Sequence, residues 1–190
     1  MAKDLATAFR APLVTSTISR LLIDLNRSIG NPNLFSAATR SAPPELRAAV
    51  VERHYLPYRA EVERFVRQSV SRGRRVIHIS SHSFTPELDG KVRRADVGLL
   101  YDPARSGEAD LCTRWKALLA ALAPALRVRR NYPYAGKGDG LTRYLRLRFA
   151  DTAYVGIELE VNQGIVFKGG QRWTALRRVL VDSLRAAQVP

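Results

Sequence analysis

At 190 residues, 46% of them hydrophobic, the chain holds one domain's worth of sequence and can bury a sizeable core. Its net charge of +14 invites a nucleic-acid reading, but the basic residues are almost all arginine, interleaved with Ala and Leu along helical stretches such as 48–72 and 173–185, the pattern of solvated helix faces. A lone cysteine, Cys112, excludes a disulfide or a cysteine-based zinc site within one chain, and no apolar run reaches membrane-span length or marks a signal core, so a cytoplasmic location is expected.

In chain order, Lys3–Phe9 reads as the end of an amphipathic helix, and Leu13–Ile18 as a strand. A second apolar run, Leu21–Leu25, leads into the polar group Asp24, Asn26 and Arg27, and Ser28–Ser41 is loop. Pro43 and Pro44 open a helix reaching about Arg72, which Pro57 should kink or split, because proline removes a backbone donor and crowds the preceding turn.

Gly73 ends that helix, and Val76–Ser80 supplies the short β-branched run of a strand. His78 and His82 then point the same way but stand roughly 13 Å apart, too far to share one zinc at about 2.0–2.1 Å from each nitrogen. Thr85–Ala95 reads as polar loop and Val97–Tyr101 as an apolar strand. A helix follows over Gly107–Leu122, its stripe made by Trp115, Leu118, Leu119 and Leu122. Leu126–Val128 is a short strand, flanked by the basic cluster Arg127, Arg129 and Arg130, a candidate anion site. Asn131–Gly140 is loop; its GKGDG lacks the spacing of a phosphate loop and reads as a mobile segment. Leu141–Phe149 is a helix, Tyr154–Val161 a strand, and Arg172–Ala187 the last helix. Strands alternating with helices indicate an α/β domain with a largely parallel sheet covered on both faces.

Three polar groups fall at strand ends, where ligands bind in open α/β sheets: Asp24/Asn26/Arg27, His82/Ser83, and Glu158/Glu160 with Asn162 and Gln163. In GIELEV, Ile157, Leu159 and Val161 share one face while Glu158 and Glu160 share the other. Two carboxylates on a core strand are costly unless paired with arginines or used in catalysis.

SRLLIDLNRS, HSFTPELDG with RRADVGLLYDPAR, RRNYPYAGKGDGLT and GIELEVNQ, in that order, resemble the N-formylglutamate amidohydrolase family, within the carboxypeptidase-like zinc hydrolases. The resemblance runs from about Ala11 to the end. It implies a three-layer α/β/α fold of the phosphorylase/hydrolase-like kind with a mixed, largely parallel sheet, over a single domain at 1–190. It also implies zinc-dependent hydrolysis of an N-acyl amino acid, most directly N-formyl-L-glutamate. In that scheme His82 is a metal ligand and Glu160 the general base, with Glu158 as the alternative. Asn26 and Arg27 hold the substrate carboxylate, and Arg20 adds a second positive charge. Members of the family carry a further metal-binding histidine motif upstream. The chain therefore reads as partial, missing its first elements, with an incomplete zinc ligand set that neither His54 nor His78 completes. A small-molecule substrate is the expected partner, with no membrane. Hydrolysis of another N-acyl amino acid, and a non-catalytic anion or nucleic-acid binder, are the alternatives.

Overall fold

The computed structural model describes residues 1–188 and sorts the chain into two units. The elements run α1 (Ala2–Phe9), α2 (Pro44–Val50), a π-helical turn (Val51–Tyr55), α3 (Leu56–Val70), β1 (Val76–Phe84), β2 (Glu87–Leu88), β3 (Lys91–Val92), β4 (Val97–Leu100), α4 (Ser106–Leu122), β5 (Val128–Arg130), α5 (Leu141–Arg146), β6 (Tyr154–Asn162), α6 (Gln163–Lys168) and α7 (Gly170–Ala187).

The first unit comprises Met1–Ala11, Ile77–Gly138 and the chain from Val155 on. It is an α/β structure around a mixed sheet in the order β1-β6-β4-β5, with β4 parallel to β5 and antiparallel to β6. The period-two pattern of β6 decides its packing: Val155, Ile157, Leu159 and Val161 are all buried in one core with Val97 and Leu99 of β4. Against them lie Leu111, Cys112, Trp115 and Leu119 of α4, and Leu176, Leu180, Leu184 and Ala187 of α7. The helical stripe anticipated from sequence shifts by a turn, since Leu122 is 55% exposed while Leu111 and Cys112 are inside. Trp115 is fully buried, and its indole N–H donates to Ser183 Oγ of α7 at 2.9 Å, so the one polar atom of the ring keeps a partner.

Within the stretch expected to be loop, β2 and β3 form an antiparallel hairpin. Asp89 and Gly90 form its turn, with φ of 51° and 71°, the positive values that a two-residue primed turn requires. The helix α6 was also not anticipated. Asn162 starts it, its side-chain oxygen accepting from the Gly164 N–H at 2.9 Å.

The second unit comprises Pro12–Val76 and Asp139–Tyr154. The helix expected over 44–72 is present and is interrupted by the π turn just ahead of Pro57. Pro57 has no N–H for the Arg53 carbonyl and would crowd it; widening the turn relieves the clash. Gly73, with φ of 70°, follows the helix end. Val62 and Val66 pack with Leu141, Leu145, Phe149 and Tyr154, and Ile23, Leu34 and Tyr55 make a second small core. Leu13–Ile18 is not a strand: the segment runs through the unit without joining a sheet. Strand pairing is a nonlocal event that β-branched residues favour and do not secure.

Candidate active site

In the first unit, the sheet brings the acidic and imidazole side chains to one face. Ile77 and Ile79 of β1 pack on the α4–α7 side with the β6 residues named above, so alternation turns His78, Ser80 and His82 to the opposite side. Glu158 and Glu160 of β6 face that same side, and β1 and β6 are neighbours. His82 lies inside β1, two residues before its end, and not beyond it as the short expected strand implied. Its Nε2 shares a hydrogen bond with Ser80 Oγ at 2.8 Å, a partner not singled out from sequence although the i, i+2 spacing displays it.

Glu160 is 5% exposed, whereas Glu158 is only half-buried. Opposite Glu160 in the ladder stands Gly98 of β4. A Cβ at 98 would lie 2.0 Å from the Tyr132 carbonyl oxygen and 3.3 Å from the Glu160 Cβ, so glycine is what lets the 131–136 loop close over the strand beside Glu160. Asn131 fixes that loop, its side-chain oxygen accepting from the N–H groups of Tyr101 and Gly136 at 3.0 and 3.1 Å. Asn162 is structural: besides capping α6 it donates to the Ala95 carbonyl at 2.9 Å. Gln163 donates to Ser83 Oγ at 3.2 Å, joining the end of β1 to the start of α6.

The basic cluster at β5 is already used within the unit. Arg127 pairs with the buried Asp96, which also draws Arg172 to 3.7 Å; Arg129 stacks on Tyr132, and Arg130 donates to Thr113 at 2.8 Å.

In the second unit, the Asp24–Arg27 segment is a cluster of its own. Asp24 is buried and accepts from Arg20 at 2.6 Å, with Arg27 Nε at 3.7 Å. Arg27 also donates to the Asp139 carbonyl at 3.1 Å, contacts that do not use up the five N–H donors of a guanidinium. Arg20 is largely exposed. Asn26 accepts from the Leu141 N–H at 2.8 Å, so its side-chain oxygen supports the start of α5.

Asp139, in the stretch read from sequence as mobile, latches this segment. Its carboxylate accepts from the Ser28 N–H and hydroxyl at 3.0 and 2.5 Å and from Asn31 at 2.6 Å. Burial pushes its pKa up, but the Ser28 and Asn31 donors and the Arg27 charge outweigh burial and leave it below the usual aspartate value.

The sequence profile of the N-formylglutamate amidohydrolase family matches residues 1–166. The chain belongs to the N-formylglutamate amidohydrolase family. Among solved structures, a gene product of Agrobacterium tumefaciens is similar over 98% of this chain and 74% of its own, with 26% identity and a TM-score of 0.82. An N-formylglutamate amidohydrolase from Ralstonia eutropha JMP134 is similar over 91% of this chain and 74% of its own, with 20% identity and a TM-score of 0.67, a likeness of fold. No curated protein matches the chain significantly.

Membership makes the chain a hydrolase of the amidohydrolase type, with a small molecule as substrate. Zinc is a separate question. A catalytic zinc takes three protein ligands and a water, and among the described residues no group of three or more His, Cys, Asp or Glu side chains is gathered to hold a metal. No helix among the described residues is long and apolar enough to cross a membrane.

Proposed function

We propose that this chain hydrolyses the amide of an N-acyl amino acid, N-formyl-L-glutamate before others, releasing formate and glutamate. The observation that carries the reading is the buried Glu160 on the face of β6 turned away from the core, with His82 on the same face of the neighbouring strand. A carboxylate so placed suits a general base. It takes a proton from water as the water oxygen bonds to the formyl carbon, and returns it to the amine nitrogen as the C–N bond breaks. The formyl group then leaves as formate.

Arg27 is the carboxylate-binding residue that the family resemblance implies. Arg27 offers a planar guanidinium, which meets a carboxylate in a fork, and its position is fixed by Asp24 and Asp139. Asn26 and Arg20 are the accessory residues of the scheme; Arg20 is the weaker candidate because it is exposed and already bound to Asp24. His82 is the proposed zinc ligand, and metal analysis of the purified chain with and without His82→Ala tests that assignment directly. The lone buried Cys112 fits activity in the reducing cytoplasm.

The test is release of the acid (formate, acetate or succinate) from the N-formyl, N-acetyl and N-succinyl derivatives of glutamate and aspartate, with the released amine assayed in parallel. Glu160→Gln should lower kcat about 10²–10⁴-fold with the fold unchanged, and Glu158→Gln far less. Equal loss on both substitutions would remove Glu160 as the base; no turnover of any of these compounds by the wild-type chain would remove the reading.

A further inference from the structure

The sheet of the first unit ends on two unlike edges. β5, at one side, has only three residues, and two of them are Arg129 and Arg130. Short length and charge are what keep a sheet edge from pairing with another chain. β1, at the other side, has nine residues, VIHISSHSF, with no Asp, Glu, Lys or Arg and no proline among them. Its β-branched and aromatic residues suit the extended conformation, and no strand lies beyond it among the described residues. Ile77 and Ile79 face the core, yet both stay half-buried. Ile157 and Leu159 of β6 and Leu99 of β4, in the same core, are fully buried.

The strand is also self-complementary. Ser80 is its midpoint, with His78 and His82 two residues to either side. Laid antiparallel on a second copy over its full length, β1 sets Ser80 opposite Ser80 and each His78 opposite the other copy's His82. Directly opposite residues of such a pair share a face, with Cβ atoms about 4.5–5.5 Å apart, and hydroxyl and aromatic pairs are favourable there. No like charges meet, because the strand carries no Asp, Glu, Lys or Arg. A register shifted by two residues would shorten the overlap and leave backbone donors and acceptors of the edge unpaired.

We propose that two copies of this chain associate through their β1 edges, antiparallel about Ser80, into one sheet continuous across the pair. The contact is isologous, so it uses up the unguarded edge of both copies and stops at two chains. β5, with its arginines, stays outermost on either side. A single strand pair is a small interface, so the pair exchanges with the single chain. The proposal is independent of the hydrolase reading: loss of that reading leaves it standing, and a single chain in solution leaves the hydrolase reading standing.

Sedimentation velocity of the full chain from about 1 to about 100 µM at physiological salt tests it. Conversion to a two-chain species with rising concentration is expected. Ser81→Lys, at a half-buried position of β1, puts a charge into the pairing edge. It should weaken association at least about tenfold with the circular dichroism unchanged. The register is read by cross-linking. Ser80→Cys sets two thiols directly opposite one another, within the Cα separation of about 4.4–6.8 Å that a disulfide needs, whereas in Ser83→Cys they stand roughly 20 Å apart. Mild oxidation should give a covalent pair from the first variant, and none from the second or from the wild type, whose Cys112 is buried. Cross-linking decides the matter if Ser81→Lys does not fold. A single chain at every concentration overturns the proposal and leaves the edge to a strand of a different molecule. So does undiminished association of folded Ser81→Lys, growth beyond two chains, or equal cross-linking of the two cysteine variants.

Discussion

Two residues in the DLNRS and GKGDG segments divide one job: Arg27 carries the charge, and Asp139 fixes the backbone on which that charge rides. Because the folded-state pKa of Asp139 is lowered, its contribution to stability is present above the unfolded value, near 4, and fades as pH falls through the folded one. Asp139→Asn should therefore cost about 1–2 kcal/mol near neutrality and progressively less as pH falls below about 4, as read by urea unfolding across an acid pH series. A cost that does not decline with pH would mean that the carboxylate charge is not what holds Ser28 and Asn31. Gly98 makes a different demand, for space. Gly98→Ala should destabilise by about 1–3 kcal/mol, since the added carbon meets a backbone oxygen that cannot swing aside. A thermal melt unchanged from wild type would show that the 131–136 loop is free to move off β4.

Elements in this chain are secured by polar pins set into apolar faces. The Trp115–Ser183 bond joins α4 to α7 inside the core, and Ser183→Ala leaves a buried indole N–H without an acceptor. A loss of about 1–3 kcal/mol is expected, measured by denaturant unfolding with Trp fluorescence; a neutral result would mean that the ring finds another acceptor. The same elements show what sequence reading can reach. The alternation in GIELEV was legible because one face of β6 is wholly apolar, and the Pro57 interruption because proline acts on its own turn. Leu13–Ile18 has the composition of a strand but lacks the neighbour that makes one, and the β2–β3 hairpin lies in a polar stretch that reads as loop although Asp89-Gly90 is a strong local turn signal. At the candidate site, strand parity places His82 and Glu160 on one side of the sheet and the family motifs propose their roles, while Arg59 lies in an ordinary-looking helix and its ring contact comes from Tyr144, which the chain supplies 85 positions later.

Across the whole molecule many of the arginines behind the net charge of +14 also make contacts within the fold. Arginines stack on Tyr, Phe and Trp rings or pair with Asp4, Glu61, Glu63 and Asp96. Guanidinium groups suit this double use, having a flat face for a ring and an edge for a carboxylate. Binding to duplex DNA, followed by fluorescence anisotropy, should be no tighter than roughly 10⁻⁴–10⁻⁶ M at physiological salt and should fall steeply as salt rises. Tight, salt-resistant binding would restore the nucleic-acid alternative.

The π turn at Val51–Tyr55 also makes chain length a structural variable. A π turn holds one residue more than the α turn it replaces, so this stretch carries a surplus position that a deletion could remove without breaking the helix. Such a deletion would close the π turn into an α turn and leave α2 and α3 in phase, so Arg47 keeps its place over the Phe35 ring. The same deletion inside α3 would instead turn everything before it by about 100° about the axis, so the π turn marks where this helix tolerates a change of length.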